Sequence, residues 1–106
     1  MKKILVIGAG RSAITLIKYL FDNAEVNNWQ VTVADFSEDL AKQAVANHIN
    51  GKAIFFNVTD DKQRESEISD SDIVISMLPA SMHILVAEDC VRLGKNMVTA
   101  SYVSKE

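Results

Sequence analysis

The sequence predicts an α/β fold: a doubly wound parallel sheet of order 3-2-1-4-5 with helices on both faces. Three observations predict it. Short apolar runs alternate with longer amphipathic segments along the whole chain. The resulting order, β-α-β-α-β-α-β-α-β, argues for parallel strands joined by helices. Right-handed crossovers then wind the sheet outward in both directions from the first strand.

Each element has its own signal. Lys3–Ile7 reads as the first strand, because Ile4-Leu5-Val6-Ile7 is apolar at every position, as in a strand buried on both faces. Arg11–Phe21 reads as a helix with Ile14, Ile17 and Phe21 on one face. Asn27-Asn28 marks a turn, and Gln30–Ala34, rich in Val and Thr, a second strand. Ser37 is placed to cap a helix running to about Asn47, with Glu38 and Asp39 favourable to its dipole. Asn50-Gly51 reads as a turn before a third strand, Ala53–Asn57. Thr59 is placed to cap a third helix, and Ile73–Met77 is a fourth strand. Met82–Leu93 is an apolar helix stopped by Gly94, and Asn96–Ala100 a fifth strand.

Composition narrows the function classes. At 106 residues the chain is expected to form one domain, 1–106, with one core. The net charge of -3 and the lack of a basic stripe argue against a nucleic-acid partner. The apolar runs are too short to span a membrane. Met1-Lys2-Lys3 resembles the start of a signal peptide, but Gly8 and Arg11 break the apolar run that would have to follow. The sole cysteine, Cys90, has no internal partner, so the cytoplasm is the expected compartment.

The chemistry concentrates at strand ends. Gly8-Ala9-Gly10-Arg11-Ser12-Ala13 follows the first strand and opens the first helix, fitting G-x-G-x-x-[GA]. Gly8 allows the tight turn, Gly10 lets a pyrophosphate approach the backbone, and Ala13 lets the helix pack close to the strand. The N–H groups of Arg11, Ser12 and Ala13 would then face the anion. The pattern alone is weak, and an unliganded strand-to-helix turn is its ordinary explanation. Asp35 strengthens it: it ends the second strand about 20 residues beyond the turn, where an acid accepts hydrogen bonds from the adenosine ribose. A helix-capping surface Asp is the alternative. This is the pattern of a Rossmann-type dinucleotide site.

Asp35 also bears on the cofactor. NADP carries a 2′-phosphate of charge about -1.5 to -2. At ~4 Å like charges repel by about 1 kcal/mol in water and about 4 kcal/mol at an effective dielectric of ~20. The next residue, Phe36, stacks on adenine but neutralises nothing, although Arg11 is within reach of the glycine turn. These residues lean toward NAD over NADP.

Ser76-Met77-Leu78-Pro79-Ala80-Ser81 leaves the fourth strand at the same edge, as does Thr99-Ala100-Ser101-Tyr102 at the fifth. A plain turn is the competing explanation for the first of these. His83 and His48 read as structural or solvated, Cys90 as a packed thiol, and the three do not make a metal-ligand spacing.

Ile4–Gly10, then Val74-Ile75-Ser76-Met77-Leu78-Pro79 with His83, then Val98-Thr99-Ala100-Ser101-Tyr102-Val103-Ser104 resemble saccharopine dehydrogenase and its reductase relatives, in order and spacing across the chain. The resemblance implies an NAD(P)-dependent oxidoreductase of lysine metabolism. Such enzymes transfer a hydride to or from the C–N bond linking saccharopine's two halves, giving glutamate and aminoadipate semialdehyde. It places Gly8, Gly10, Arg11, Ser12 and Ala13 at the pyrophosphate and Asp35 and Phe36 at the adenosine. Val58 falls beside adenine, although relatives often have Asp where Asn57 stands here. Met77, Leu78, Pro79 and Ala100 would line the cofactor, with Ser101 and Tyr102 at the small amino-acid-derived substrate. Some NADP-using relatives carry Arg near Phe36.

Family members are several times longer, with a further substrate-binding and dimerisation domain. This chain is therefore expected to be the cofactor-binding part of a homodimeric enzyme, its catalytic acid or base lying beyond Glu106, able to bind cofactor without turnover. Two alternatives remain on the residues alone: a non-enzymatic NAD-binding regulatory domain, and a homospermidine- or carboxynorspermidine-type reductase.

Overall fold

The computed structural model describes residues 2–10 and 13–99. Strands β1 (Lys2–Ile7), β2 (Trp29–Asp35), β3 (Gly51–Phe55), β4 (Ile73–Ser76) and β5 (Asn96–Thr99) form one sheet of order β3-β2-β1-β4-β5. Every pairing is parallel. The helices are α1 (Ile14–Asp22), α2 (Ala24–Asn27), α3 (Glu38–Val45), α4 (Asp61–Ser69) and α5 (Ala80–Leu93). The doubly wound order is the expected one.

The all-apolar β1 has a simple cause. Successive side chains point to opposite faces, and each face carries its own core. Ile4 and Val6 pack with Ile17, Leu20, Phe21 and Val45 on the α1/α3 side. Leu5 and Ile7 pack with Phe56, Ile68, Val74 and Val86 on the α4/α5 side.

Several boundaries differ from expectation for identifiable reasons. The inward face of α1 is Ile17, Leu20 and Phe21, while Ile14 is more than half exposed because the helix only begins there. A single turn, α2, precedes β2 and ends at Asn28 in the left-handed region, which asparagine tolerates. Asn50-Gly51 is not a free turn. Gly51 already pairs with Val31 in the sheet, and a β-carbon there would come within 2.7 Å of the Phe21 ring and 2.8 Å of Val45. The glycine thus serves close packing, and β3 starts two positions earlier than the turn signal implies. Ser37 caps α3 as expected, its hydroxyl accepting from Leu40 N–H at 3.3 Å. Asp60, not Thr59, caps α4: its carboxylate accepts from Lys62 and Gln63 N–H, both at 3.1 Å. Thr59 instead donates to Asn57 Oδ1 at 2.7 Å. Helix α5 starts at Ala80 rather than Met82, since Pro79 has the fixed φ suited to a helix entry.

At the opposite edge of the sheet Asp72 ties β1 to the lead-in of β4. Its carboxylate accepts from Lys3 N–H at 2.7 Å, and its own N–H donates to the Lys3 carbonyl at 2.8 Å. The Lys3 amide, aided by the charges of Lys2 and Lys95, holds the Asp72 carboxyl below its ordinary 3.8. A carboxyl with a depressed folded value adds stability that is complete above 3.8 and is lost as pH falls through the lower value. Between about pH 5 and about pH 2.5 the melting temperature should therefore fall less steeply in Asp72→Asn than in the wild type, as followed by circular dichroism. Parallel curves would show that this carboxylate is fully solvated.

Candidate functional site

The site lies at the carboxyl edge, where β1 and β4 wind away in opposite directions and where ligands of such sheets bind. Gly8 ends β1 with φ +107°, and its N–H donates to the Ala34 carbonyl at 2.7 Å. A β-carbon at Gly8 would stand 3.3 Å from that of Met77, so the turns after β1 and β4 touch there. Gly10 is exposed, and among the described residues a β-carbon built on it meets nothing within 4 Å. That leaves room for a phosphate to approach the backbone there. Ala13 donates to the Gly10 carbonyl at 2.9 Å and is almost fully buried, as its packing role requires.

The N-termini of the four longer helices divide into two kinds. Those of α3 and α4 are closed by Ser37 and Asp60 and followed by acidic residues. Those of α1 and α5 have neither a side-chain cap nor an acid in the first turn. Both of these ends flank the glycine turn, and among the described residues no capping side chain or first-turn acid offsets their positive dipole ends.

Asp35 is an internal brace. One carboxylate oxygen accepts from Ala9 N–H and the other from Ser37 N–H, both at 2.8 Å. The acid thereby pins the glycine turn to the turn after β2. Each oxygen keeps a second lone-pair site, so ribose contact is compatible with this role.

Beside it opens a cavity of about 310 Å³ lined by Gly8, Asp35, Phe36, Asn57, Val58, Thr59, Leu78 and Met82. Phe36 is largely exposed and leans on Phe55, with ring centroids 5.4 Å apart. Met77 and Leu78 do not form one wall. Met77 packs toward the α1/α3 core, whereas Leu78 joins the α4/α5 core and lines the cavity next to Val58. Pro79 is exposed at the helix entry. Arg11, Ser12, Ala100, Ser101 and Tyr102, assigned from sequence, lie outside the described residues. A larger groove of about 480 Å³ runs between α1 and α3. It sits mainly on the helical face, away from the strand ends, and is not the site.

Of the remaining candidates, His48 and Cys90 are structural. His48 Nδ1 accepts from Asn50 N–H at 3.0 Å and its ring stacks on Phe21 at 4.6 Å. Cys90 is buried, and burial together with the neighbouring Asp89 charge pushes its thiol up, away from reactivity. His83 is half-buried, its Nδ1 without a hydrogen-bond partner among the described residues. Those residues hold no cluster suited to a metal ion. No helix among them is long and apolar enough to cross a membrane.

A polar contact between α4 and α5 is not foreshadowed by any short-range sequence pattern. Arg64 on α4 and Asp89 on α5 are both buried and joined through Nε and Oδ2. Arg64 also donates to the Val58 carbonyl and, at 2.7 Å, to Asp61. Burial alone would favour a neutral Arg64; its hydrogen bonds to Asp89 and Asp61 outweigh that and keep it charged.

Fold and site together define a Rossmann-type dinucleotide-binding domain. Residues 4–106 match the family model for the saccharopine dehydrogenase NADP binding domain, and the chain belongs to that family. It is 38% identical over 104 residues to saccharopine dehydrogenase (NADP(+), L-glutamate-forming) of Saccharomyces cerevisiae, covering 97% of this chain and 22% of the relative. It is 38% identical over 85 residues to alpha-aminoadipic semialdehyde synthase of Arabidopsis thaliana, covering 80% of this chain and 8% of that one. Among solved structures, apo saccharopine dehydrogenase (L-Glu forming) from Saccharomyces cerevisiae superposes with a TM-score of 0.85 at 32% identity, covering 96% of this chain and 22% of that chain. The chain thus spans less than a quarter of these relatives.

The family corrects the lean toward NAD: it is an NADP-binding one. One physical contribution is visible at Asp35. Its charge is met by two backbone donors rather than presented bare to the ribose. The repulsion expected from sequence is accordingly weaker.

Proposed function

We propose that this chain binds NADP along the carboxyl edge of its sheet, as the cofactor domain of an enzyme that interconverts saccharopine with glutamate and aminoadipate semialdehyde. The observation that carries this reading is the glycine turn: braced by Asp35, open at Gly10, and set at the uncapped start of α1 beside the 310 Å³ cavity.

The residues divide the work. Gly8, Gly10 and Ala13, with Arg11 and Ser12, hold the pyrophosphate against backbone N–H groups. Asp35, Phe36 and Val58 receive the adenosine, and Arg11 is the cation assigned to the 2′-phosphate. Met77 and Pro79 face the nicotinamide half with Ala100, while Leu78 reaches toward the adenosine cavity. Ser101 and Tyr102 meet the substrate. Bound NADP supplies the hydride acceptor or donor; the chain's part is to orient it. In the whole protein a substrate-binding domain and a second copy of the chain complete the enzyme, in the cytoplasm.

Calorimetric titration of the 106-residue chain with NADP and with NAD tests the reading. NADP should bind at least as tightly as NAD, and the chain alone should not oxidise saccharopine. A folded chain that gives no binding signal with NADP overturns it.

A further inference from the structure

We propose that Arg64 and Gln63 are positioning residues for the cofactor. From behind the site they clasp the segment between β3 and α4, and so fix the wall against which the adenosine end rests. The proposal rests on the cofactor reading above and extends it to side chains that do not line the cavity.

The segment in question is 56–60. It follows β3, the edge strand among the described residues, and its sheet bond is that of Phe56 N–H to the Asp35 carbonyl at 2.8 Å. Two adjacent side chains of α4 hold it from the other side. The Gln63 amide acts as a substitute strand: its Oε1 accepts from Asn57 N–H at 3.0 Å, and its Nε2 donates to the Phe55 carbonyl at 2.8 Å. Arg64 takes the Val58 carbonyl, three residues further along. Asn57, Val58 and Thr59 all line the cavity, whereas Gln63, Arg64 and Asp89 do not.

Packing α4 against α5 does not by itself require an ion pair. Apolar side chains of similar size often replace a buried pair without loss of stability. They cannot donate to the Val58 carbonyl, however, and Arg64 makes that bond while anchored on α5 by Asp89. Holding a wall in its bound geometry before the ligand arrives strengthens binding by removing the ordering cost.

The test separates packing from clasping. The double variant Arg64→Met/Asp89→Leu retains apolar volume and removes the clasp; Gln63→Leu removes the other half and leaves the ion pair intact. Binding of 2′,5′-ADP, which carries only the adenosine end, is measured by calorimetry, alongside melting temperature and amide hydrogen exchange in the ligand-free chain. At near wild-type melting temperature, both variants should bind 2′,5′-ADP about tenfold more weakly. The amides of Asn57 and Thr59 should exchange faster. Arg64→Lys, which keeps a donor for the Val58 carbonyl, should recover part of the affinity. Wild-type affinity and exchange in both variants overturn the proposal while leaving the cofactor reading intact. If the double variant does not fold, Gln63→Leu decides alone. A wild-type chain that binds neither NADP nor 2′,5′-ADP removes the cofactor reading and this proposal together.

Discussion

Asp89→Ala is expected to lower the unfolding free energy by about 3–5 kcal/mol, the largest stability effect of any substitution considered for this chain. The truncation strands the Arg64 guanidinium at a site largely shielded from water: both side chains are less than a tenth exposed. Asp61 remains as a partner, but its carboxylate is 85% exposed, and an ion pair with so solvated a group is worth only about 0–1 kcal/mol. The bond from Arg92 to the other oxygen of Asp89 is lost as well. Domains of this size are stable by only about 5–15 kcal/mol, so a substantial part of the total is at stake. Urea unfolding with linear extrapolation gives the number directly. Arg64→Met/Asp89→Leu should recover most of the loss, since it removes both charges at once. A loss below about 1 kcal/mol in Asp89→Ala would mean that water solvates the pair, contrary to its burial.

That pair also marks what the sequence does not disclose. Arg64 and Asp89 lie on different helices, and no short-range pattern links them. Helix α4 reads Asp-Lys-Gln-Arg-Glu-Ser-Glu-Ile-Ser, which looks like a solvated face throughout. One clue was present: Ile68 is its only apolar residue, and the position four earlier on the same face is Arg64. If Ile68 faces the core, Arg64 must face it too and needs a partner there. The two-sided sheet, by contrast, was legible because β1 and β4 each bury a nearly continuous run, which only a sheet covered on both faces allows. Gly51 was misjudged because Asn-Gly is the usual turn signal, and the same lack of a β-carbon also admits the Phe21 ring. The cap of α4 slipped by one because Thr59 and Asp60 are both good caps; the Asn57 side chain had already engaged Thr59. The glycine turn and Asp35 were legible as a pair, but only the folded chain brings them into a hydrogen bond with each other.

That contact sets the expectation for Asp35→Ala. A carboxylate accepting a backbone N–H contributes about 1.5–3 kcal/mol per bond, and Asp35 accepts two, from Ala9 and Ser37. Partial solvation trims the sum, so unfolding free energy should fall by about 2–4 kcal/mol, with NADP affinity down at least about tenfold as the turn relaxes. The two effects separate the possible roles of the residue. Were Asp35 only a ribose acceptor, removing it would weaken NADP and leave the ligand-free chain as stable as before. Were it only a brace, the affinity lost would follow the disorder of the turn, and Asp35→Asn would restore just one of the two bonds, because its amide NH2 cannot accept from a backbone N–H. Stability by urea unfolding and affinity by calorimetry, measured on both variants, therefore place Asp35 on one side or the other. Unchanged stability in Asp35→Ala would mean that the Ala9 and Ser37 amides find other partners, and that the open glycine turn does not depend on this acid.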